Sequence, residues 1–275
     1  HVAWLKSLAS LVSLSGQLYM LSDPMDAYDE TRLHIISRTL PPAPIMTAET
    51  GAVDFSYPAY TWTKLHGFFV VNKENPTGVE EISEQEALDM AGNYTTMHNA
   101  HPFSTLWAFH FHSDTETWCV AARIATAPLT ASTIQMQDLS LNPEKKYLAF
   151  DFWKQEMLGV VEKAIDVSAL ELGECQLICL RPLLDRPQFL ASSRHVSMDC
   201  VSVTNQVWSQ NMLKLTLCGI PGTAEDYWVY ASSAYSFVGA DCEGGHVIVE
   251  QNGNALRCKV QFTDDAAVLN VTFAC

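Results

Sequence analysis

Asp23 closes the short apolar run Leu18-Tyr19-Met20-Leu21 and is followed at once by Pro24. A carboxylate just past the carboxyl end of a strand is where parallel α/β barrels place pocket residues. The same position suits an aspartate that caps the turn or helix after it, and the residues alone leave both readings open. His98 and His101 stand three apart in "MHNAHPF", and His110 and His112 share a face of "FHFH", with Cys119 a few residues on. A metal site can be drawn through them. Yet no paired carboxylate or second thiol completes a ligand spacing, so loop and strand-face histidines are expected and no metal is assigned. "SSRH" sets Ser192, Ser193, Arg194 and His195 side by side. Neighbouring residues on a strand point to opposite faces, which makes a serine–histidine catalytic pair poor geometry there.

The eight cysteines sit singly in apolar runs such as "LKLTLCG" and "ALRCKVQF", with no CxxC among them. Buried free thiols are expected, with disulfides or a metal as the lesser reading. There is no glycine-rich phosphate loop and no basic stripe. A net charge of −15, from 31 acidic and 16 basic residues, argues against nucleic acid or an anionic membrane as partner. No stretch reaches the ~18 consecutive apolar residues that a membrane span needs. With 48% hydrophobic and 17% charged residues, the 275-residue chain has the composition of a globular protein with sizeable cores.

The elements that would carry these residues fall into regions. In residues 1–45 the pattern is helix, strand, helix. Leu5, Leu8, Leu11 and Val12 fall at helical spacing. "LYML" reads as a strand. "DAYDETRLHIISRTL" reads as a second helix, with Leu33, Ile36 and Leu40 on one face and Asp26 and Asp29 near its N-terminus. "PPAP" stops it, because proline cannot continue the helical hydrogen-bond ladder. A single βα unit cannot bury both sides of its strand, so partners outside this sequence are expected. Residues 46–101 read as an irregular connecting region containing one strand, "GFFVV", and a short helix or turn, "SEQEALDMAG". Beyond residue 102 the helical period gives way to short alternating runs between polar turns, as in antiparallel β-sandwiches. "RPLLDRPQF" divides them, giving one sandwich at 102–182 and a second at 187–275.

"SGQLYMLSDPMDAYDETRLHIISRTLPP", residues 15–42, resembles the last barrel strand and helix of α-galactosidase-like and raffinose-synthase-like glycoside hydrolases, the family 36 or melibiase group. "YLAFDFWKQEMLGVVE" and "LICLRPLLDRPQFLASSRHVS" are similar to the β-sandwich region that follows such barrels. Gln17 departs from the pattern, in which a second glycine is common. The resemblance implies a mainly β fold: two antiparallel β-sandwiches preceded by the last helix-strand-helix portion of a (β/α)8 barrel. It also implies retaining chemistry on α-galactoside-type sugars through two carboxylates ~5 Å apart. In the family both are aspartates on earlier barrel strands, matched by nothing here. The resemblance therefore assigns no catalytic residue and no cofactor to this chain, and carries Asp23 over only as an edge of the carbohydrate pocket.

Two functions follow. One is the C-terminal part of a glycosidase whose β domains support the barrel. The other is a stand-alone carbohydrate-binding or surface-interaction module of two β-sandwiches, with Trp153 or Trp228 stacking on a sugar face.

Overall fold

In the first helix, α1 (Val2–Leu14), the buried face is made largely of serines: Ser7, Ser10 and Ser13, joined by Ala9 and Leu14. The computed structural model describes residues 2–16, 18–21, 26, 28–44, 48–52, 63–64, 67–71, 79–82 and 104–275. Leu11 and Leu14 of α1 join a core, whereas Leu8 stays 53% exposed. The leucine stripe read from the sequence is thus only partly the buried one. Small hydroxyl side chains let the helix approach the β-strands closely, and each finds a partner, as buried polar groups must. The Ser7 Oγ donates to the Gly173 carbonyl (2.6 Å), and the Ser10 Oγ accepts from the Trp153 indole (3.2 Å).

Leu18–Leu21 does not form the expected strand. A lone strand has no neighbour to take its backbone hydrogen bonds, and none is offered by the described residues. Helix α2 (Glu30–Thr39) begins where expected, with Asp29 as N-cap accepting from the Arg32 amide at 2.8 Å. Its buried residues are Ile35, Ile36 and Thr39, while Leu33 is half exposed.

Strand β1 (Ala48–Ala52) belongs with residues 105–275, and residues 54–104 form a separate unit. That unit holds a three-stranded antiparallel sheet of β2 (Thr63–Lys64), β3 (Gly67–Val71) and β4 (Val79–Ile82), in which β3 is the "GFFVV" strand. "SEQEALDMAG" lies outside the described residues.

Among the described residues the larger unit contains three sheets. The strands β5 (Leu106–His112), β6 (Thr117–Ile124), β7 (Ser132–Gln135), β8 (Lys146–Asp151), β9 (Glu156–Glu162), β10 (Ala164–Val167) and β11 (Cys175–Pro182) join β1 in one eight-stranded sheet of order β1-β5-β6-β11-β8-β9-β10-β7. Residues 104–182 therefore do not divide into two sheets. The single sheet folds over, so that Ile134, Met136, Ile165 and Val167 from its β7–β10 end cover Cys119, Ala121, Ile178 and Leu180 in a shared core. The chain makes that turn at Lys163, between β9 and β10, with φ at +62°. Strands β6 and β11, covered on both faces, are buried almost throughout, as strands with two packed faces are.

Residues 188–274 make a two-sheet sandwich from β12 (Gln188–Ser192), β13 (Val203–Ser209), β14 (Met212–Cys218), β15 (Ala224–Tyr230), β16 (Ser236–Glu243), β17 (Gly245–Asn252), β18 (Ala255–Phe262) and β19 (Ala266–Ala274). Their orders are β12-β15-β18-β17 and β13-β14-β19-β16, all antiparallel. Inward residues alternate along β14, β18 and β19 to form its core, including Leu215, Val260 and Leu269. A third core lies between the outer face of the eight-stranded sheet, α1 and the sandwich. There Phe109, Phe150 and Leu177 meet Leu14, Leu190 and Trp228. The proline-rich boundary separates sheets, but the two regions share this core.

The two sandwich sheets are joined by Gly244, between β16 and β17, with φ at +79°. A Cβ there would stand 2.3 Å from the Ala266 carbonyl oxygen. Gly244→Ala is expected to lower stability by roughly 1–3 kcal/mol. A fall in the urea midpoint at constant slope would show this, and an unmoved midpoint would refute it.

All eight cysteines are free thiols; Cys119, Cys179 and Cys258 are buried, as expected, whereas Cys218 and Cys275 are exposed. Burial pushes the Cys179 and Cys258 thiols up to about 12, so they are inert packing groups.

Candidate functional site

Two places gather the features noted in the sequence: an apolar groove on the outward side of α1, and a buried polar joint behind that helix. Leu5, Leu8 and Val12 of α1 face Leu18, Met20 and Leu21 across a groove of about 330 Å³. Leu18 is 80% exposed and Met20 75%, far more than isolated apolar residues need to be. Tyr19 is anchored by a 2.9 Å hydrogen bond between its hydroxyl and that of Thr39. Among the described residues its lining is apolar apart from the Tyr19 and Tyr28 hydroxyls. Asp23, two residues past Leu21, lies outside the described residues.

The joint is built by α1, α2 and the turn after β12. His195 is fully buried. Its Nε2 meets the Ser13 Oγ at 3.1 Å and its Nδ1 meets the Ser197 Oγ at 2.8 Å. "SSRH" thus forms no serine–histidine pair within itself. Strand β12 ends at Ser192, and the chain turns so that the histidine finds serines from elsewhere. Desolvation lowers the His195 pKa to about 4, against the opposing pull of Asp199 and with help from Arg194. A neutral, water-excluded imidazole cannot exchange protons with a substrate; it fastens α1 to the β region.

Asp199 organises the rest of the turn. It accepts from the Ser192 hydroxyl and from the Val201 and Ser202 amides, each at 2.7 Å. Arg194 donates to the carbonyls of Ser37 (2.7 Å) and Leu40 (3.2 Å), capping the end of α2, where helix carbonyls lack partners. Arg38 pairs with Glu225, which also accepts from the Ser193 hydroxyl (2.7 Å). Sequence reading missed the Arg194 and Arg38 roles because their partners are 154 to 187 residues away.

His110 lies opposite Cys119 across β5 and β6, and His112 is exposed. Among the described residues no group of three or more metal-binding side chains occurs, and His98 and His101 lie outside them. Neither tryptophan offers a free platform. Trp228 is 6% exposed, and Trp153 lies beneath the Lys6 ammonium (4.7 Å) and edge-on to Phe152.

No protein-family model matches the chain, and no curated protein does. Among solved structures it is similar to a GH27 β-L-arabinopyranosidase from Geobacillus stearothermophilus, with 13% identity, 68% of this chain and 32% of that chain covered, and a TM-score of 0.40. It is similar to alpha-galactosidase I from Mortierella vinacea, with 9% identity, coverage of 66% and 36%, and a TM-score of 0.39. It is also similar to the isomalto-dextranase of Arthrobacter globiformis T6, with 10% identity, coverage of 98% and 47%, and a TM-score of 0.35. The chain spans about a third to a half of these enzymes' lengths. These neighbours are glycoside hydrolases, galactosidase-like ones among them, and likeness at this level fixes neither substrate nor activity.

Proposed function

We propose that the chain is the C-terminal region of an α-galactosidase-like glycoside hydrolase of the family 36 or melibiase type. Its β-sheets support a barrel, and residues 1–45 supply that barrel's last strand and flanking helices. The observation that carries this reading is the orientation of α1. Its serine face is committed to the β region, while Leu5, Leu8 and Val12 face an open groove with Leu18, Met20 and Leu21. Leu18, Met20 and Leu21 are left exposed beside that groove while Tyr19 is tied to Thr39, an apolar segment whose cover would come from barrel neighbours. The sequence resemblance at residues 15–42 points to the same place. On this reading Asp23 sits at the rim of the sugar pocket, the two catalytic aspartates belong to earlier strands, and this region alone is inactive.

The test has two arms. Purified 1–275 is expected to show no hydrolysis of p-nitrophenyl α-galactoside; robust turnover would overturn the reading. The open reading frame upstream of His1 is expected to encode alternating strands and helices, with an aspartate closing each of two strands. A start codon and signal peptide directly before His1 would also overturn it. The exposed groove gives a further expected outcome. Leu18→Glu with Met20→Glu should reduce dye binding and self-association of 1–275 without lowering its melting temperature, because neither side chain is packed. A clear loss of stability in that variant would mean the groove is closed.

A further inference from the structure

A second concavity, of about 480 Å³, opens within the β region, where β9 and the turn before it face the β15-β18-β17 surface. One wall is a preset guanidinium. Arg257 stands opposite both Glu250 and Trp228 in the strand register. Its Nη2 donates to Asp226 at 2.7 Å, its Nη1 reaches Glu250 at 3.5 Å, and its carbon lies 6.0 Å from the Trp228 ring centre. The other wall is Gln155, Glu156, Met157 and Leu158, with Gln155 fixed by its donation to the Phe152 carbonyl at 2.6 Å. Asn252 closes one end. A bulge opposite Ala149 and Phe150 turns this wall, and Gly159, at φ +106°, leaves open space where a Cβ would stand.

We propose that this cleft is a binding site for a neutral saccharide. The chemistry selects the class. The Arg257 charge is already matched by Asp226, and Glu156 and Glu250 add negative charge, so an anion meets no unpaired cation. Among the described residues no third metal ligand assembles here. A purely apolar ligand would strip water from these charges without replacing their hydrogen bonds. Vicinal hydroxyls, by contrast, can donate to Glu156 and Glu250 and accept from Arg257 and the Asn252 and Gln155 amides. The C–H face of a pyranose can rest on Met157 and Leu158, and the volume accommodates one or two sugar rings. The site lies wholly within residues 155–257, far along the chain from the barrel-like segment, and does not rest on the glycosidase reading.

The test is titration of 1–275 with D-galactose, D-glucose and melibiose, followed by NMR shifts, with choline and inorganic phosphate as charged controls. At least one neutral sugar is expected to saturate, with the weak affinity usual for so small a ligand. The double substitution Glu156→Gln and Asn252→Ala should weaken it about tenfold or more, through loss of two polar contacts. Both side chains are exposed, so an unchanged urea midpoint in that variant would confirm an intact fold. The proposal is overturned if no neutral sugar saturates at up to roughly 50 mM. It is overturned equally if the double variant binds as well as the parent, or if only choline or phosphate saturates.

Discussion

Arg181→Ala is expected to lower the unfolding free energy by ~3–5 kcal/mol, the largest effect of any single substitution considered. The guanidinium is fully buried at the end of β11, between the rings of Trp118 (4.5 Å) and Phe189 (4.7 Å). Its Nε donates to the Leu190 carbonyl at 2.7 Å, its Nη2 to the Met198 carbonyl, and its Nη1 pairs with Glu116. Burial, the largest single influence, pushes the guanidinium pKa down, but Glu116, Cys179 and Asp199 together outweigh it and the net shift is upward. Truncation takes the guanidinium donors from the Leu190 and Met198 carbonyls and leaves a carboxylate without its partner and an empty slot between two rings, each costly. Arg181→Lys should recover less than half of the loss, since a point charge cannot stack between rings while bonding three acceptors. Arg181→Met combined with Glu116→Gln should be milder than Arg181→Ala, because volume is kept and no charge is stranded. Urea unfolding at neutral pH measures all of these. An Arg181→Ala loss under about 1 kcal/mol would mean the pin contributes little.

The same side chain explains why the boundary at 181–189 is legible and yet incomplete as a domain boundary. The prolines of "RPLLDRPQF" do separate β11 from β12. But Arg181 reaches across them to β12 and the turn after it, and Phe150 packs on Trp228 at 4.8 Å. The two β regions should therefore unfold in one transition. Sequence periodicity shows where strands are, not which of their faces meet.

Strands with clear alternation or apolar runs were plain in the sequence: β5, β6, β8, β11, β14, β15, β18 and β19, and with them the edge strand β17, whose run is "HVIVEQ". Those that were missed have a physical reason. Strands β7, β13 and β16 are sheet edges, where polar and exposed residues are favoured and alternation is weak. Strand β9 carries Leu158 and Val160 outward and Gly159 in its middle, which breaks the pattern. The serine face of α1 was hidden for the opposite reason. Hydrophobic spacing draws attention to the leucines, whereas the face that packs is chosen by close approach and hydrogen bonding to Gly173, Trp153 and His195. At the groove, the apolar character of residues 18–21 was evident, but its exposure was not, because exposure depends on what else is present to cover it.

His195 supplies the second large expected effect, on acid stability. The folded state holds the imidazole neutral, with its pKa lowered to about 4 by burial, while the unfolded chain titrates near the ordinary 6.5. Between those values the unfolded chain binds a proton that the folded chain does not, so stability rises with pH in that window. The contribution is fully present above about pH 6.5 and is lost as the pH falls toward 4, by up to ~3 kcal/mol at ~1.4 kcal/mol per unit. Protonation adds a donor at Nδ1, the nitrogen that accepts from the Ser197 amide at 3.2 Å, so the Ser197 contacts must reorient or break. The buried imidazolium would lie against Ser13 of α1 with its charge not solvated by water, so the helix and its apolar groove are the part expected to loosen first. His195→Asn should be less stable than the parent at pH 7, yet its stability should change less between pH 6.5 and 4.5, and the two curves should converge on acidification. Parallel curves would show that carboxylates elsewhere, not this histidine, set the acid limit. Hydrogen exchange supplies the spatial check: α1 amides should lose protection below pH 5 while those of β14 and β19 keep theirs.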